Sequence, residues 1–246
     1  MKLKYDLHIH SCLSPCGDNE MTPYNLTNMA KICGCDVIAL TDHNTCLNCE
    51  SAMKAGADIG LTVIPGMELC TSEEIHCICL FPELKNALSF SEYVKTTLPP
   101  VKNREKIFGN QYVMDERDNI LSSFELLLTT ASGISIESLD KLMKDYGGLW
   151  YPAHIDRSSY SIISSLGDFP EGLETPCFEL TYEADENFYR EKYTATKNKR
   201  LIRSSDAHYL QSLMTDMEEI EVRENTLKEI FEALKSNQRI SDKNRT

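Results

Sequence analysis

The chain has 246 residues and a hydrophobic content of 41%, which is ordinary for a globular protein with a substantial core. Its formal net charge of −13 argues against a long nucleic acid as partner, because binding to a phosphate backbone needs basic patches. The sequence shows neither a signal peptide nor an apolar run long enough to span a bilayer, so we expect a cytoplasmic protein without membrane contact.

The first third of the chain alternates strand and helix patterns. One helix is predicted to begin after Thr22-Pro23, an N-cap followed by proline, and to end near Gly34. A second helix is predicted to run to about Ala57. Strands are predicted at residues 5–9, 36–41, 61–64 and 75–81. This alternation indicates an α/β fold with a parallel sheet.

The middle of the chain, about residues 83–148, has a different pattern. It predicts a helix at 85–97, a hairpin at 111–121, and two more helices at 123–131 and 135–146. We interpret this mainly helical segment as an insertion or cap on a single domain that covers residues 1–246.

Strand patterns resume after the middle segment. They are predicted at residues 149–153, 177–181 and 200–204, with a further edge strand at 217–222. An amphipathic helix at 225–236 closes the domain.

The chain has ten cysteines, nine of them before residue 80. Without a secretory signal, free thiols are the expectation rather than disulfides. Cys46 and Cys49 form a CxxC pair, which could bind a soft metal or cycle between redox states. Cys77 and Cys79 alternate inside an apolar strand, where cysteine behaves as a small hydrophobic residue.

The six histidines follow the predicted strands. They are His8, His10, His43, His76, His154 and His208. All but His76 stand at the end of a strand, and His8 and His10, two positions apart, face the same side. The carboxyl ends of barrel strands open on one face, so these side chains, with Glu68 and Asp206, are expected to converge on metal.

Imidazoles and carboxylates without thiolates suit zinc, manganese or iron better than calcium or magnesium. The set is too large for one tetrahedral ion, which implies two or three divalent ions with a carboxylate bridging a pair. Such clusters clamp the attacking and leaving oxygens of a phosphoryl displacement.

Five short motifs resemble those of the polymerase and histidinol phosphatase (PHP) family of metal-dependent phosphoesterases. They are DLHIHS at residue 6, TDHN at 41, GMEL at 66, PAH at 152 and SDAH at 205. The motifs are spread over residues 6–208, nearly the whole chain, in the family's order. The resemblance implies a distorted (β/α)7 barrel, similar to a TIM barrel but with seven strands.

The resemblance also implies the metal ligands. A first ion would be held by His8, His10, Glu68 and Asp206. Glu68 would bridge to a second ion held by His76 and His154. A third ion would use His43, His208 and an acidic or histidine residue shortly after the HxH motif. That segment is about three residues longer here than in many relatives, and Asp18 is the best candidate, with Glu20 as an alternative.

The expected catalytic residues are Asp206, His208 and Arg157. Arg157 could bind a substrate phosphate through its forked guanidinium, or form a surface salt bridge. Further candidates that could face or support the site are Arg203, Glu179, Asp42 and Asp6.

We therefore expect a phosphoric ester hydrolase in which hydroxide generated on the metal attacks phosphorus. The expected substrate is a small phosphorylated molecule: a nucleotide, a nucleoside bisphosphate, an oligonucleotide end or a sugar phosphate. Two alternatives remain open, a non-catalytic PHP module that binds metal as a regulator or scaffold, and a redox or iron–sulfur protein that uses the cysteines. A related metal-dependent amidohydrolase, cleaving a C–N bond, is a further enzymatic alternative. The sequence leaves the oligomeric state open.

Overall fold

The computed structural model describes residues 1–213 and 217–236, a mixed α/β fold. Its strands are β1 Lys2–Ile9, β2 Val37–Leu40, β3 Thr62–Cys70, β4 His76–Leu80, β5 Tyr112–Met114, β6 Ile120–Ser123, β7 Leu149–Pro152, β8 Cys177–Leu180, β9 Arg200–Arg203 and β10 Glu219–Glu221. Its helices are α1 Pro23–Cys33, α2 Cys49–Asp58, α3 Leu84–Thr97, α4 Glu105–Phe108, α5 Ile136–Asp145, α6 Ile162–Leu166, α7 Glu186–Lys192 and α8 Leu227–Lys235.

Local sequence sets the limits of α1 as predicted. The Thr22 hydroxyl accepts a hydrogen bond from the Asn25 N–H at 3.2 Å, and Pro23 occupies the first helical position. Gly34 ends the helix in the left-handed conformation with φ 94°, which glycine adopts without a Cβ penalty. The chain then enters β2, whose four residues are all buried.

Six strands form one curled sheet in the order β10-β1-β2-β3-β4-β7. Strands β1, β2 and β3 are parallel, whereas β10 runs antiparallel to β1. β8 and β9 pair in parallel as a second sheet. The sheets are linked by hydrogen bonds from the Ile155 N–H to the Glu179 carbonyl, 2.9 Å, and from the His10 N–H to the Ala207 carbonyl, 3.0 Å.

The expectation of a wholly parallel sheet fails at β4, which is antiparallel to both β3 and β7. Only residues 71–75 separate β3 from β4, and a parallel crossover needs a dozen or more residues. The reversal has a consequence for His76. Because β4 runs backwards, its first residue lies at the edge where the parallel strands end.

The middle segment contains α3, the β5–β6 hairpin and α5 close to their predicted positions, but the helix predicted at 123–131 is absent. Side chains hold this stretch in an irregular path instead. The Gln111 amide donates to the carbonyls of Phe124 and Leu126 at 2.9 and 2.7 Å, and its oxygen accepts from the Leu128 N–H at 3.0 Å. These bonds satisfy backbone groups that a helix would otherwise pair internally.

The core has two main clusters of buried apolar side chains. One joins residues of the strands in both sheets, such as Leu7 and Ile202, with Ile230 and Phe231 of α8. The other packs the opposite sides of the strands against the helices α1, α2, α3 and α5. Within the described ranges, no helix has the length and apolarity needed to cross a bilayer.

Candidate metal centre

All six histidines lie in one cluster around Glu68. This glutamate lies inside β3, which extends to Cys70, rather than after the strand as predicted. Its Oε1 contacts His8 Nε2 at 3.3 Å, His76 Nδ1 at 2.8 Å and His154 Nε2 at 3.2 Å. Its Oε2 contacts His10 Nε2 at 3.2 Å and His43 Nδ1 at 3.0 Å. The two oxygens therefore face different imidazoles, as a bridging carboxylate requires.

Asp206 closes the cluster from the end of β9. Its Oδ1 lies 3.1 Å from His8 Nε2, 3.2 Å from His10 Nε2 and 3.6 Å from His208 Nδ1. Asp206 and His154 both have positive φ, 50° and 27°, a conformation that non-glycine residues seldom adopt. Such strain is common at functional sites, where the surrounding structure imposes it.

The residues fit divalent cations. Three groups have ligand atoms within 4.8 Å of one another: His8, His10, Glu68 and Asp206; His43, Glu68 and His76; and His10, His43 and His208. His8 Nε2 and His10 Nε2 face each other at 3.1 Å. His43 Nδ1, His154 Nδ1 and Asp206 Oδ1 are buried without a hydrogen bond of good geometry. Buried polar atoms of this kind need a partner, and cations in these groups would supply one for His43 and for Asp206.

Glu179 orients His8 from behind. This carboxylate is buried, and its Oε1 lies 2.9 Å from His8 Nδ1 and accepts the His154 N–H at 3.2 Å. A proton on Nδ1 leaves the Nε2 lone pair of His8 facing the centre, the arrangement by which carboxylates fix metal-binding histidines.

A hydroxyl relay orients His10 in the same way. The Ser14 hydroxyl donates to Asp42 Oδ1 at 2.7 Å and accepts from the His43 N–H at 3.1 Å. Its oxygen lies 2.9 Å from His10 Nδ1, so this ring nitrogen carries the proton and Nε2 faces the centre. Asp42 thus acts on His10 through Ser14, a residue that the sequence patterns did not single out.

Three other predicted residues, Asp18, Glu20 and Asp6, are not part of the converging groups. Asp18 is bound through its backbone N–H to the His208 carbonyl at 2.8 Å, while its carboxylate accepts the Glu20 N–H at 2.8 Å. Glu20 is exposed. Asp6 accepts the Ser205 N–H at 3.1 Å and so holds the loop that carries Asp206. Burial raises the pKa of Asp6 to about 6 despite these bonds.

The charges of the cluster are strongly coupled. Burial alone would raise the pKa of Glu68, but His76, His8 and His43 hold it well below its usual value. Burial would likewise lower the pKa values of His10 and His43. Asp206 and Glu68 nevertheless raise the pKa of His10 to about 9, and Glu68 raises that of His43 to about 9. Without an ion, protons on these rings balance the carboxylates. Divalent cations would replace those protons.

Arg157 borders a cavity of about 540 Å³ beside the cluster, together with Ser159, Thr181 and Ser205. Its Nη1 lies 2.6 Å from Asp206 Oδ2, and its side chain is 45% exposed. The guanidinium can therefore reach both the cluster and the cavity.

Arg203 has a different environment from Arg157. Its guanidinium donates to the backbone carbonyls of Thr181 and Ala184, and its side chain is largely buried. It holds the end of β8 and does not line the centre.

Tyr160 is a site residue that the sequence patterns missed. Its ring stacks on His76 with centroids 4.7 Å apart, and it is 45% exposed. Its carbonyl accepts the His76 N–H at 2.9 Å, and its φ is 53°. No spacing rule marks this tyrosine in AHIDRSSY, because its position depends on the turn after His154.

The cysteines take no part in the three ligand groups found among residues 1–213 and 217–236. All are free, and eight are buried. Burial raises the pKa values of Cys46, Cys77, Cys79 and Cys177, which disfavours the thiolate needed for metal or redox chemistry. Cys12 packs against Met114, with 3.5 Å between the sulfurs. This environment does not favour the iron–sulfur alternative.

A family model for the PHP domain matches residues 6–240. The chain belongs to the PHP domain family. It is 37% identical over 83 residues to the 5'-3' exoribonuclease of Haemophilus influenzae, a match that covers 32% of this chain and 29% of that protein.

Solved PHP-type structures share the fold. The lesion-specific endonuclease Q of Pyrococcus furiosus matches with a TM-score of 0.69 and 21% identity, over 96% of this chain and 56% of that one. The complex of endonuclease Q with a 27-mer duplex, which has an abasic lesion at the active site, matches with a TM-score of 0.69 and 20% identity, over 96% and 57%. The chain thus spans little more than half of these structures, and under a third of the exoribonuclease. Together the likenesses support a metal-dependent hydrolase.

The prediction that a partner is small and excludes long nucleic acid is wrong. A protein of this fold holds a 27-mer duplex with the lesion at its active site. The error came from using the net charge of −13 over the whole chain. Recognition of a phosphate backbone depends on the charge near the site, where Arg157 is positive and divalent cations would add further positive charge.

Proposed function

We propose that this protein is a metal-dependent phosphodiesterase that hydrolyses the backbone of nucleic acids. The observation that carries the proposal is the position of Glu68, whose two oxygens contact five imidazoles at one edge of the sheet. The names of the exoribonuclease and of endonuclease Q favour a nucleic acid as substrate.

The ligand sets follow the family pattern. The first set coincides with a group of converging ligand atoms, whereas the group around His76 and Glu68 contains His43 rather than His154. His8, His10, Glu68 and Asp206 would hold one ion, and Glu68, His76 and His154 a second. His43 and His208 would belong to a third, for which Asp18 was the predicted acidic ligand. Zinc, manganese or iron suits these donors, and two or three such ions supply Lewis-acid polarisation and an activated water at neutral pH.

The chain's own groups prepare the site for this chemistry. Glu179 and the Ser14–Asp42 pair fix the tautomers of His8 and His10, so that both offer an Nε2 lone pair. Burial and the neighbouring His10 lower the pKa of His208 to about 3. Its ring is therefore neutral and has a lone pair available for a cation beside Asp206.

Arg157 would bind the phosphate that is cleaved. Its exposed guanidinium contacts Asp206 and faces the cavity, and a forked guanidinium matches two phosphate oxygens. A cation held by Asp206 would offset the charge of this carboxylate, and Arg157 would then be free to pair with substrate. This places positive charge at the site in a chain that is acidic overall.

Tyr160 would stack on a base of the bound strand. One face of its ring is covered by His76 and the side chain is 45% exposed, which leaves room for a second planar group. Stacking of a base on an aromatic side chain contributes about 1–3 kcal/mol and tolerates any base. The cavity of about 540 Å³ lies in the size range of sites for small organic groups and suits a single nucleotide unit.

We also propose that seven strands form one distorted barrel: β1, β2, β3, β4, β7, β8 and β9. The hydrogen bonds between the two sheets support this closure. Residues 83–148 would be an insertion in that single domain.

The test is hydrolysis of end-labelled single-stranded RNA, single-stranded DNA and duplex DNA with an abasic site, each with manganese, zinc or ferrous iron. We expect cleavage of at least one of them, with a loss of roughly 1,000-fold or more in Glu68→Gln, which removes the bridging charge. Glu92→Gln, an exposed change on α3, should keep full activity.

A panel of nucleoside monophosphates and sugar phosphates should be run beside the nucleic acids. Turnover of these small monoesters alone, by protein shown to contain metal, would overturn the proposed substrate. Metal binding without turnover of any ester would overturn the proposed activity.

A further inference from the structure

Residues 102–108 carry positive charge in a chain that is acidic overall. The chain has 25 basic and 38 acidic residues, but this segment has three cations, Lys102, Arg104 and Lys106, and one acid, Glu105. All four side chains are exposed. Within the described ranges, the ion pairs of lysine and arginine involve other residues. This local excess of unpaired cations favours an anionic partner.

The same segment exposes apolar side chains between its cations. Ile107 is 61% exposed and Phe108 is 36% exposed. The guanidinium carbon of Arg104 lies 5.6 Å from the centroid of the Phe108 ring. An exposed aromatic ring beside cations is the combination that binds single-stranded nucleic acids, because a base can stack on the ring while phosphates pair with the cations. We call residues 102–108 the basic–aromatic segment.

The basic–aromatic segment is fixed to the loop of residues 11–19. Gly109, which follows the segment, has a φ of 102°, and a Cβ at this position would overlap the Pro15 carbonyl oxygen. Only glycine permits so close an approach of the two backbones. The Asn110 side-chain amide donates to Asn19 Oδ1 at 3.1 Å.

The loop of residues 11–19 also contacts the candidate metal centre. The Ser14 hydroxyl oxygen lies 2.9 Å from His10 Nδ1, and the Asp18 N–H donates to the His208 carbonyl at 2.8 Å. Pro15 and Asn19, which contact the residues after the segment, are the next neighbours of Ser14 and Asp18 in the chain. One short loop therefore joins the basic–aromatic segment to the clustered histidines.

We propose that the basic–aromatic segment is a second binding surface for nucleic acid, which holds the strand a few nucleotides away from the cleaved phosphate. Lys102, Arg104 and Lys106 pair with backbone phosphates, and Phe108 stacks on a base. These contacts tolerate any sequence, since every base has a π face. They favour single strands and unpaired ends over a duplex, whose bases already stack on one another. The inference rests on the proposed function, because it concerns the same substrate.

The first test measures binding apart from cleavage, in the complete chain with Glu68→Gln. Fluorescence anisotropy is recorded with labelled single-stranded DNA and RNA of about 3 and about 12 nucleotides, since surfaces of this kind take roughly 4–16 nucleotides. We expect the combined variant Lys102→Gln, Arg104→Gln and Lys106→Gln to weaken binding of the longer strands about 10–100-fold. The slope of log affinity against log salt should fall by about 2, because each phosphate contact contributes roughly 0.7. Phe108→Ala should weaken the same binding about 5–100-fold. The short strands should bind equally well to all these proteins.

Matched controls remove the same groups elsewhere. The combined variant Lys85→Gln, Lys141→Gln and Lys228→Gln removes three exposed cations and so makes the same change in net charge. Phe188→Ala removes a ring that is 47% exposed and has Lys192 Nζ 5.1 Å from its centroid, in a stretch, 183–192, where acids outnumber cations. Both controls should bind the longer strands as the parent does.

The second test uses active, metal-loaded protein with its native Glu68. The segment variants should raise KM for the longer strands and leave kcat unchanged, because the lost contacts are made equally in the ground state and the transition state. Unchanged affinity and KM for the longer strands would overturn the inference, as would an equal loss for long and short strands. Light scattering identifies a competing use of the surface: a dimer that becomes a monomer in Phe108→Ala, with unchanged strand affinity, would also overturn it.

The two proposals fail separately. Strand binding that depends on the basic–aromatic segment, without cleavage by metal-loaded protein, would reject the proposed activity and support the second surface. Cleavage of long strands that is the same in native protein and segment variants would support the activity and reject the surface.

Discussion

Two regions of this protein contain residues that commonly bind metals, and the fold treats them in opposite ways. The metal-ligand edge consists of His8, His10, His43, Glu68, His76, His154, Asp206 and His208. The thiol core consists of the buried cysteines Cys12, Cys35, Cys46, Cys49, Cys70, Cys77, Cys79 and Cys177. In the metal-ligand edge, ionisable side chains converge on one point, whereas the thiols of the thiol core pack as apolar side chains.

Strand β4 shows what separates the two regions. His76, its first residue, lies at the metal-ligand edge, and Cys77 and Cys79 lie in the core only one and three positions further on. Location along the strand, more than residue type, decides the role. An imidazole at the open edge can meet a cation, while a thiol within the sheet is packed on all sides and keeps its proton.

The sharpest test of the metal-ligand edge is His8→Ala. His8 contacts Glu68, Asp206 and Glu179, so its loss removes a ligand from the first group and one partner from each of three buried carboxylates. We expect loss of bound metal and a fall in activity of roughly 1,000-fold or more. Metal content measured by mass spectrometry checks this, and native stoichiometry in the variant would contradict the assignment of His8.

Glu179→Gln tests the support behind the ligand. The amide keeps the size of the side chain but weakens the bond that fixes the tautomer of His8. We expect metal affinity to fall about 10–100-fold, as for other residues that orient a ligand histidine. Competition with a chromophoric chelator measures it, with Glu92→Gln as the control. An unchanged affinity would show that Glu179 does not orient His8.

Arg157 should affect the substrate rather than the metal. Removal of a forked phosphate contact in Arg157→Ala should lower kcat/KM by about 10–100-fold, because charge-assisted hydrogen bonds contribute roughly 1.5–3 kcal/mol. Arg157→Lys should recover only part of this loss, since an ammonium cannot bind two oxygens in one plane. Unchanged kinetics with bound metal would remove Arg157 from the catalytic site.

The metal-free protein should lose stability as the pH rises. The pKa values of His10 and His43 are raised from 6.5 to about 9 in the fold, so protonation of these rings favours the folded state. That contribution is complete below pH 6.5 and is lost as the pH rises through about 9. The pKa of His208 is lowered from 6.5 to about 3, so its protonation reduces stability only as the pH falls below 6.5.

Melting temperatures of chelator-treated and metal-loaded protein across this range provide the measurement. Cations take the place of the protons, and a higher pH favours deprotonated ligands, so the loaded protein should not show the same decline. Parallel curves for the two forms would contradict the view that protons and metal share the cluster.

Much of the metal-ligand edge could be predicted because ligand chemistry is tied to short motifs. HxH, TDHN and SDAH place side chains near strand ends, whereas GMEL places Glu68 inside β3, and the structure brings all six histidines together with Glu68 and Asp206. The antiparallel β4 could not be predicted from alternation, since an apolar strand reads the same in either direction. The available signal was the ten residues between the strands predicted at 61–64 and 75–81, which are too few for a parallel crossover.

The supporting residues were harder to predict. Ser14 and Tyr160 act through contacts that depend on loop geometry, and a hydroxyl or an aromatic ring has no characteristic spacing from a ligand. The prediction of a helix at 123–131 is wrong for a related reason. The side chain of Gln111, distant in sequence, binds backbone carbonyls of that segment. Tertiary contacts of this kind override local propensity.

The thiol core provides the smallest expected effect and the closing test of the comparison. Cys77→Ser places a hydroxyl in an apolar site where the thiol is completely buried. We expect a loss of about 1–3 kcal/mol in the free energy of unfolding, which lowers Tm by roughly 2–4 °C per kcal/mol for a chain of this size. Cys33→Ser, at a partly buried position, should change stability by no more than about 0.5 kcal/mol.

The metal content of Cys77→Ser decides whether the two regions are independent. His76 and Cys77 are adjacent in β4, but their side chains lie on opposite faces of the strand, as successive residues must. A loss of stability with native metal content and native activity is therefore expected. Loss of metal in Cys77→Ser would show that packing in the thiol core supports the metal-ligand edge. The two regions along β4 would then not be independent.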